Sequence, residues 1–279
     1  MDKEQAFSLS ELSVPAGTAL IPLVARAQAR TLFPELGFVD EQAERIVEAL
    51  GIPLDSFGTD LGWLRGTVLR AKWFDDRCRQ FFAANPNGLC VALGAGLNTR
   101  FQRLNEGAIR WVDLDLPEVI ALKRRFVKAT KRYCMLACDV TDLAWMDRIG
   151  WRPGIPVMLT AEGLLMYLTP SDVGSLFRGI AARFSCGDAP VSFLFDYASP
   201  LMVLNSWLHP ALKHTDARFC WGLAGVNAIS LLDPRYRVVE DYDITRECGY
   251  PTAFISLLHQ LMTMGRPFYG LANLQLQRQ

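Results

Sequence analysis

The stretch "LCVALGAGLNTRF" (Leu89–Phe101) decides the fold. Five apolar residues run into Gly94 and Gly96, and Asn98, Thr99 and Arg100 follow. An apolar run that meets two glycines two apart is a strand entering a tight βα loop. Glycine makes the turn and removes the Cβ that would keep a ligand away from the backbone. In a doubly wound sheet such a loop lies at the carboxyl ends of the strands, where ligands bind. Asp115 closes the next apolar run about 20 residues later, the spacing at which an acid accepts hydrogen bonds from ribose hydroxyls. Loop and acid together point to an adenosine-containing ligand.

Working outward, strands and helices alternate. Strands are expected at 89–93, 109–115, 134–140, 157–163 and 189–197, with helices from Pro117, where proline suits a first turn, and over 171–184. That order implies right-handed βαβ units and a parallel sheet. Upstream, 14–50 reads as helical, with Asp40 as an N-cap and Gly51 as a stop, and 65–84 forms a further helix with Phe74, Cys78, Phe81 and Phe82 on one stripe. Downstream, the aromatic-rich segment 198–232 interrupts the pattern and reads as helical. A strand at 236–244, a helix at 252–265 and a final edge strand at 269–277 complete the chain, the two strands forming an antiparallel pair at one sheet edge. The expected architecture is one α/β, doubly wound Rossmann-like domain over 1–279, with a helical cap (1–84), a cofactor-binding core (85–197), an inserted substrate cap (198–235) and a C-terminal part of the sheet (236–279).

Bulk properties narrow the function. The 279 residues carry 29 Lys+Arg and 29 Asp+Glu, a formal net charge of zero. There is no basic excess for nucleic acid and no polybasic run for a membrane surface. No run of about 18 apolar residues occurs and "MDKEQAFSLS" has no apolar signal region, so a cytoplasmic protein is expected. Seven cysteines without a C-x-x-C pair read as reduced thiols, and no metal is expected.

Thr99 chooses between adenosine ligands. A dinucleotide fingerprint carries a third Gly or Ala there, so that the helix closes on the strand while the pyrophosphate sits on its N-terminus. S-adenosylmethionine has no phosphate and needs only the turn and the ribose acid. Further acids recur at strand ends: Asp139 where an adenine amino group would be met, and Glu162 near the methyl and amino-acid part. Asp142 reads as the cap of the following helix. His209, His214 and His259 read as packing or surface residues, as do Trp207, Phe219 and Trp221.

The segments "TALIPLVARA" (18–27), "VLRAKWFDD" (68–76), "VALGAGLNTRFQRL" (91–104), "WVDLDLPEVIALKRR" (111–125), "LACDVTD" (136–142) and "AEGLLMYLTPSDV" (161–173) together resemble the leucine carboxyl methyltransferase family, in particular its bacterial branch of polyketide O-methyltransferases. The resemblance implies a class I methyltransferase sheet using S-adenosylmethionine. It implies that Arg70 holds the methionyl carboxylate, Gly94 and Gly96 line the loop, Asp115 binds ribose, Asp139 and the Val140 backbone meet adenine, Glu162 approaches the methionyl amino end and Tyr167 faces the substrate carboxyl. Asn98 departs from the family pattern, which has Asp.

The expected reaction is O-methylation of a small carboxylic acid, polyketide-like or aromatic. A carboxylate is ionised at neutral pH and needs no general base, so positioning and water exclusion do the work, with Tyr167 orienting the acceptor. Other acceptors stay open at this point: a peptide C-terminal carboxylate, or a phenol with His209 or His214 as base. So do two other classes, a nicotinamide oxidoreductase and a non-catalytic S-adenosylmethionine-binding module. Oligomeric state has no sequence signal.

Overall fold

The computed structural model describes residues 17–278 except 106, 209–211 and 213–216. Seven strands form one sheet: β1 (Leu89–Leu93), β2 (Arg110–Asp115), β3 (Tyr133–Ala137), β4 (Val157–Ala161), β5 (Val191–Ala198), β6 (Tyr236–Asp243) and β7 (Tyr269–Leu276). The main helices are α1 (Leu20–Ala27), α2 (Glu41–Leu50), α3 (Leu61–Ala84), α4 (Pro117–Arg124), α5 (Pro170–Phe184) and α6 (Thr252–Met262). The strand order is β3-β2-β1-β4-β5-β7-β6. The first five are parallel, and β7 runs antiparallel to both β5 and β6.

The register of β1 positions the site. Leu93 pairs with Leu114 on one side and with Ala161 on the other. Gly94, Asp115 and Glu162, each one residue further on, therefore emerge together. The strand order reverses between β1 and β4, and the crevice beyond such a switch point is where open α/β sheets bind ligands.

Strands β1 and β4 are buried on both faces, as covered parallel strands must be. Leu89, Val91 and Leu93 face a layer that includes Phe177, Ile180 and Phe184 of α5. Phe177 is its hub, with ring centroids 5.1 Å from Phe193, 5.5 Å from Phe195 and 5.3 Å from Tyr236. Cys90 and Ala92 face the opposite layer, built on Phe74, Cys78, Phe81 and Phe82 of α3. Each such buried aromatic contributes about 1.5–3 kcal/mol. The helix expected as part of a cap is thus, along this stripe, a layer of the sheet sandwich. Helices α1 and α2 pack on Leu97 above the glycine loop.

Several elements differ from the sequence reading. Helix α3 starts four residues early because Asp60 accepts from Trp63 N at 2.7 Å. Gly62 and Gly66 mask that first turn; a Cβ on Gly66 would lie 2.7 Å from Cys248 Sγ, so the glycine admits the neighbouring chain. Within the region read as helical, α1 and the short helix Ala29–Leu32 are separated from α2 by a 3-10 turn at Pro34–Leu36 and by Gly37 (φ +60°), and Asp40 caps α2 through Ala43 N as expected. The described residues of segment 198–232 include the short helix Pro200–Leu204 and the 3-10 turns Ser206–Leu208 and Val226–Leu231. Within it Phe219 and Trp221 are buried, whereas Trp207 is 60% exposed. His209 and His214 lie outside the described residues.

One expectation is corrected. Residues 269–276 are not the edge strand; β7 is inserted between β5 and β6, and the edge is β6. Leu271, Ala272 and Leu274 are fully buried, while β6 alternates exposed and covered positions. Nor is the pair a simple hairpin, since α6 lies between its strands. Among the described residues no helix is long and apolar enough to cross a membrane.

Candidate active site

Gly94 and Gly96 both take the left-handed conformation, at φ +58° and +50°. A Cβ on Gly94 would sit 2.7 Å from Leu164 Cδ1, and one on Gly96 would sit 3.2 Å from Ala19 Cβ. Backbone geometry and close packing both call for glycine here. Asp115 locks the loop: Oδ2 accepts from Gly96 N at 2.6 Å and Oδ1 from Leu116 N at 2.7 Å. Burial pushes its carboxyl above the ordinary value, and the two N–H donors oppose that rise. Each oxygen has a further lone pair with which to accept a hydroxyl.

Strand β3 ends at Ala137, so Cys138, Asp139 and Val140 leave the sheet as a rim loop. Asp139 Oδ1 accepts from Thr141 N at 2.9 Å and from its hydroxyl at 2.8 Å. Asp142 caps a turn rather than the helix itself, accepting from Ala144 N at 3.1 Å.

At the other end the acids meet arginines. Glu162 Oε1 accepts from Arg70 Nε at 3.2 Å and Oε2 from Arg100 Nη2 at 2.6 Å. Asn98 adds a donor to Oε2 at 3.3 Å, while its own Oδ1 accepts from Arg100 N at 2.9 Å. Burial alone would raise the Glu162 carboxyl; Arg100 and Arg70 overrule it and hold it down to about 2. An aspartate at 98 would face this carboxylate without a proton to donate.

Arg70 also donates from Nη1 to Asp196 Oδ2 at 3.0 Å and to the Tyr269 hydroxyl at 2.9 Å. Tyr269 in turn donates to Asp196, whose other oxygen accepts from Gly163 N at 2.7 Å. Beyond Arg100 the pairing continues through Asp75, Arg103 and Asp40 to Arg26, whose Nη2 donates to Leu97 O at 2.9 Å. Four arginines and four carboxylates alternate in one buried ladder. Thr99 belongs to it, donating to Asp40.

The sequence-identified residues converge. Arg70, Gly94, Gly96, Asp115, Asp139, Val140, Glu162 and Tyr167 all line one cavity of about 870 Å³. Its mouth is apolar, with Leu201, Met202, Phe219 and Ile255. Tyr167 stands edge-on to Phe219 at 5.4 Å, and burial pushes its phenol up to about 12. His259 is buried against Phe268 and takes no part in that lining. Sequence reading missed Asp196, Tyr269 and the arginine ladder. Asp196 did leave a mark, a lone acid within the otherwise apolar run "VSFLF-D-YA".

The leucine carboxyl methyltransferase family model matches residues 19–181. The chain belongs to this family. Its members' cofactor is S-adenosylmethionine, and the protein is an S-adenosylmethionine-dependent methyltransferase. The chain is 27% identical to the tetracenomycin polyketide synthesis O-methyltransferase TcmP of Streptomyces glaucescens, over 80% of this chain and 82% of that one. It is 28% identical to the S-adenosyl-L-methionine-dependent methyltransferase dpfgK of Gibberella zeae, over 67% of each. The fold matches a solved S-adenosylmethionine-dependent methyltransferase of Anabaena variabilis at a TM-score of 0.51, with 13% identity over 75% of this chain and 85% of that one. The nicotinamide reading suggested by the glycine loop is thereby set aside.

Proposed function

We propose that this methyltransferase esterifies a carboxylate of a small, largely apolar metabolite of aromatic or polyketide type. The observation that carries the reading is that, among the described residues, no His or Lys lines the cavity, and that the carboxylate at its mouth, Asp60, serves as the cap of α3 through Trp63 N. Glu162 is held at about 2 by its arginines, and the Tyr167 phenol is pushed up to about 12 by burial. Asp115 and Asp139 stand at the other end. A carboxylic acid, ionised at neutral pH, is the oxygen nucleophile that needs no such help. The apolar mouth and the printed name of the Streptomyces relative support a polyketide-like acceptor.

The residues fit the cofactor: a loop without Cβ atoms, acceptors for hydroxyl and amino hydrogens in Asp115 and Asp139, and no anion cradle at Thr99. When bound, S-adenosylmethionine supplies an electrophilic methyl group on a cationic sulfur. Arg70 takes the methionyl carboxylate, Glu162 approaches the amino end, and the Val140 backbone meets adenine. Tyr167 donates its hydroxyl to the acceptor carboxylate and aims the second oxygen. Phe219, Leu201 and Met202 exclude water, which favours a step in which opposite charges neutralise.

A labelled-methyl transfer screen against carboxylic acids, phenols and peptides tests this. Label entering an apolar carboxylic acid and released by mild base is the expected result; base-stable label on phenols would refute it, and label in peptides would move the acceptor to a chain terminus. Tyr167→Phe should lower kcat/KM about 10-fold, the worth of one hydrogen bond to a charged group. An unchanged value removes Tyr167 from the mechanism.

A further inference from the structure

Helix α6 is turned inside out. Its polar residues face the protein: Ser256 and His259 are its buried positions. Ser256 Oγ donates to Asp243 Oδ2 at 2.9 Å and Gln260 Nε2 to the same oxygen at 2.7 Å, beside Phe268 N at 2.9 Å. With its polar side fastened to Asp243, the helix presents Phe254, Ile255, Leu257, Leu258, Leu261 and Met262 outward, flanked by Tyr250 and Met264. These eight side chains are 43–88% exposed. Together they offer on the order of 1,000 Å², more than the ~300–600 Å² of the largest apolar patch on a typical monomer.

We infer that this face is the interface of a homodimer in which α6 packs against α6 of a second copy across a twofold axis. Area is the first ground: a standard specific interface needs about 800 Å² from each partner. Charge is the second. Arg266 is the single charged residue between Cys248 and Gln277. Twofold packing therefore brings no row of like charges together, and an uncharged face meets its own copy without penalty. The same lack of charge disfavours the other occupants. A helix seated on an anionic membrane carries Lys and Arg along its border, and an interface with a transient protein partner is about as polar as ordinary surface, whereas permanent homodimer interfaces are more apolar.

Dimerisation touches the cavity. Pro251, Thr252 and Ile255, at the start of α6, line its mouth. A second copy laid along α6 narrows the entrance on that side and extends the apolar wall past Ile255.

Sedimentation equilibrium of the full chain at micromolar concentration should give twice the 31.2 kDa chain mass. Leu261→Glu combined with Met264→Glu should give the single chain mass, with an unchanged circular dichroism spectrum, because both side chains are exposed in one copy. A monomeric wild-type chain, or a double variant that stays dimeric, overturns the proposal. A wild-type chain that is monomeric and co-sediments with phosphatidylcholine–phosphatidylglycerol vesicles overturns it in favour of a lipid surface. The assay reads mass alone, so it stands or falls apart from the identity of the methyl acceptor.

Discussion

The two ends of the cleft hold their acids by different means. At the glycine-loop end Asp115 is fastened by two backbone N–H groups, and Asp139 by the following Thr141. At the arginine end Glu162 and Asp196 are fastened by arginines that are themselves held by further carboxylates. The first arrangement is local, and its carboxylates keep lone pairs for a ligand. The second is a chain of mutual dependence in which a group can scarcely be removed without stranding its neighbour. Losing an acid at the first end should cost affinity; losing a member of the second should cost the fold.

The sharpest break of this contrast is Arg100→Met. Arg100 is 1% exposed and joins Asp75 to Glu162. Its loss leaves Glu162 with Arg70, and Asp75 with Arg103, as the one remaining arginine partner of a buried carboxylate, and should destabilise the protein by about 3–5 kcal/mol in urea unfolding. A loss below about 1 kcal/mol would mean that the ladder is idle. Acid tests the same end. Glu162 is held at about 2 when folded, against 4.5 ordinarily, so its contribution is present above about pH 4.5 and lost as pH falls from there towards 2. That contribution is up to about 3 kcal/mol. Unfolding midpoints of the wild type and Glu162→Gln should therefore differ most near pH 7 and converge on acidification; a constant gap would contradict it.

The other end predicts the opposite signature. Asp115→Asn should weaken S-adenosylmethionine binding by about 10- to 100-fold in calorimetry, the loss of one or two hydrogen bonds to a charged group, while unfolding shifts by no more than about 1 kcal/mol. Equal losses of stability and affinity would erase the distinction. The smallest effect belongs to Asn98→Asp. It replaces a donor to Glu162 by a second carboxylate and should cost about 1 kcal/mol near pH 7, shrinking in acid as one of the pair takes a proton.

The same contrast explains what could be read in advance. The glycine-loop end was legible because its parts lie close in sequence: a strand, Gly94, Gly96, and Asp115 ending the next strand. Each follows a local rule of turn or spacing. The ladder was not, since it joins Arg26, Asp40, Asp75, Arg100, Glu162 and Asp196, which no spacing rule connects. Asp40 was identified as a helix cap, which it is, but its second oxygen and its burial belong to tertiary structure. Residue 98 was recognised as unusual; only the fold shows that its amide hydrogens point at Glu162. For β7, "YGLANLQL" alternates as an edge strand would, and whether its second side is covered depends on where β6 settles.

The inserted strand has a bearing on how the molecule comes into being. Ser192 of β5 pairs with Gln275 of β7, and β6, made earlier, has no place in the sheet until β7 arrives. During synthesis the parallel strands can gather as they emerge, yet Arg70 waits for the Tyr269 hydroxyl and the edge of β5 stays open. Strand pairing across so long a separation is slow, and an open edge invites wrong partners. The glycine loop and Asp115 are therefore encoded in strands that can pair early, whereas the arginine end is complete only once β7 is in place.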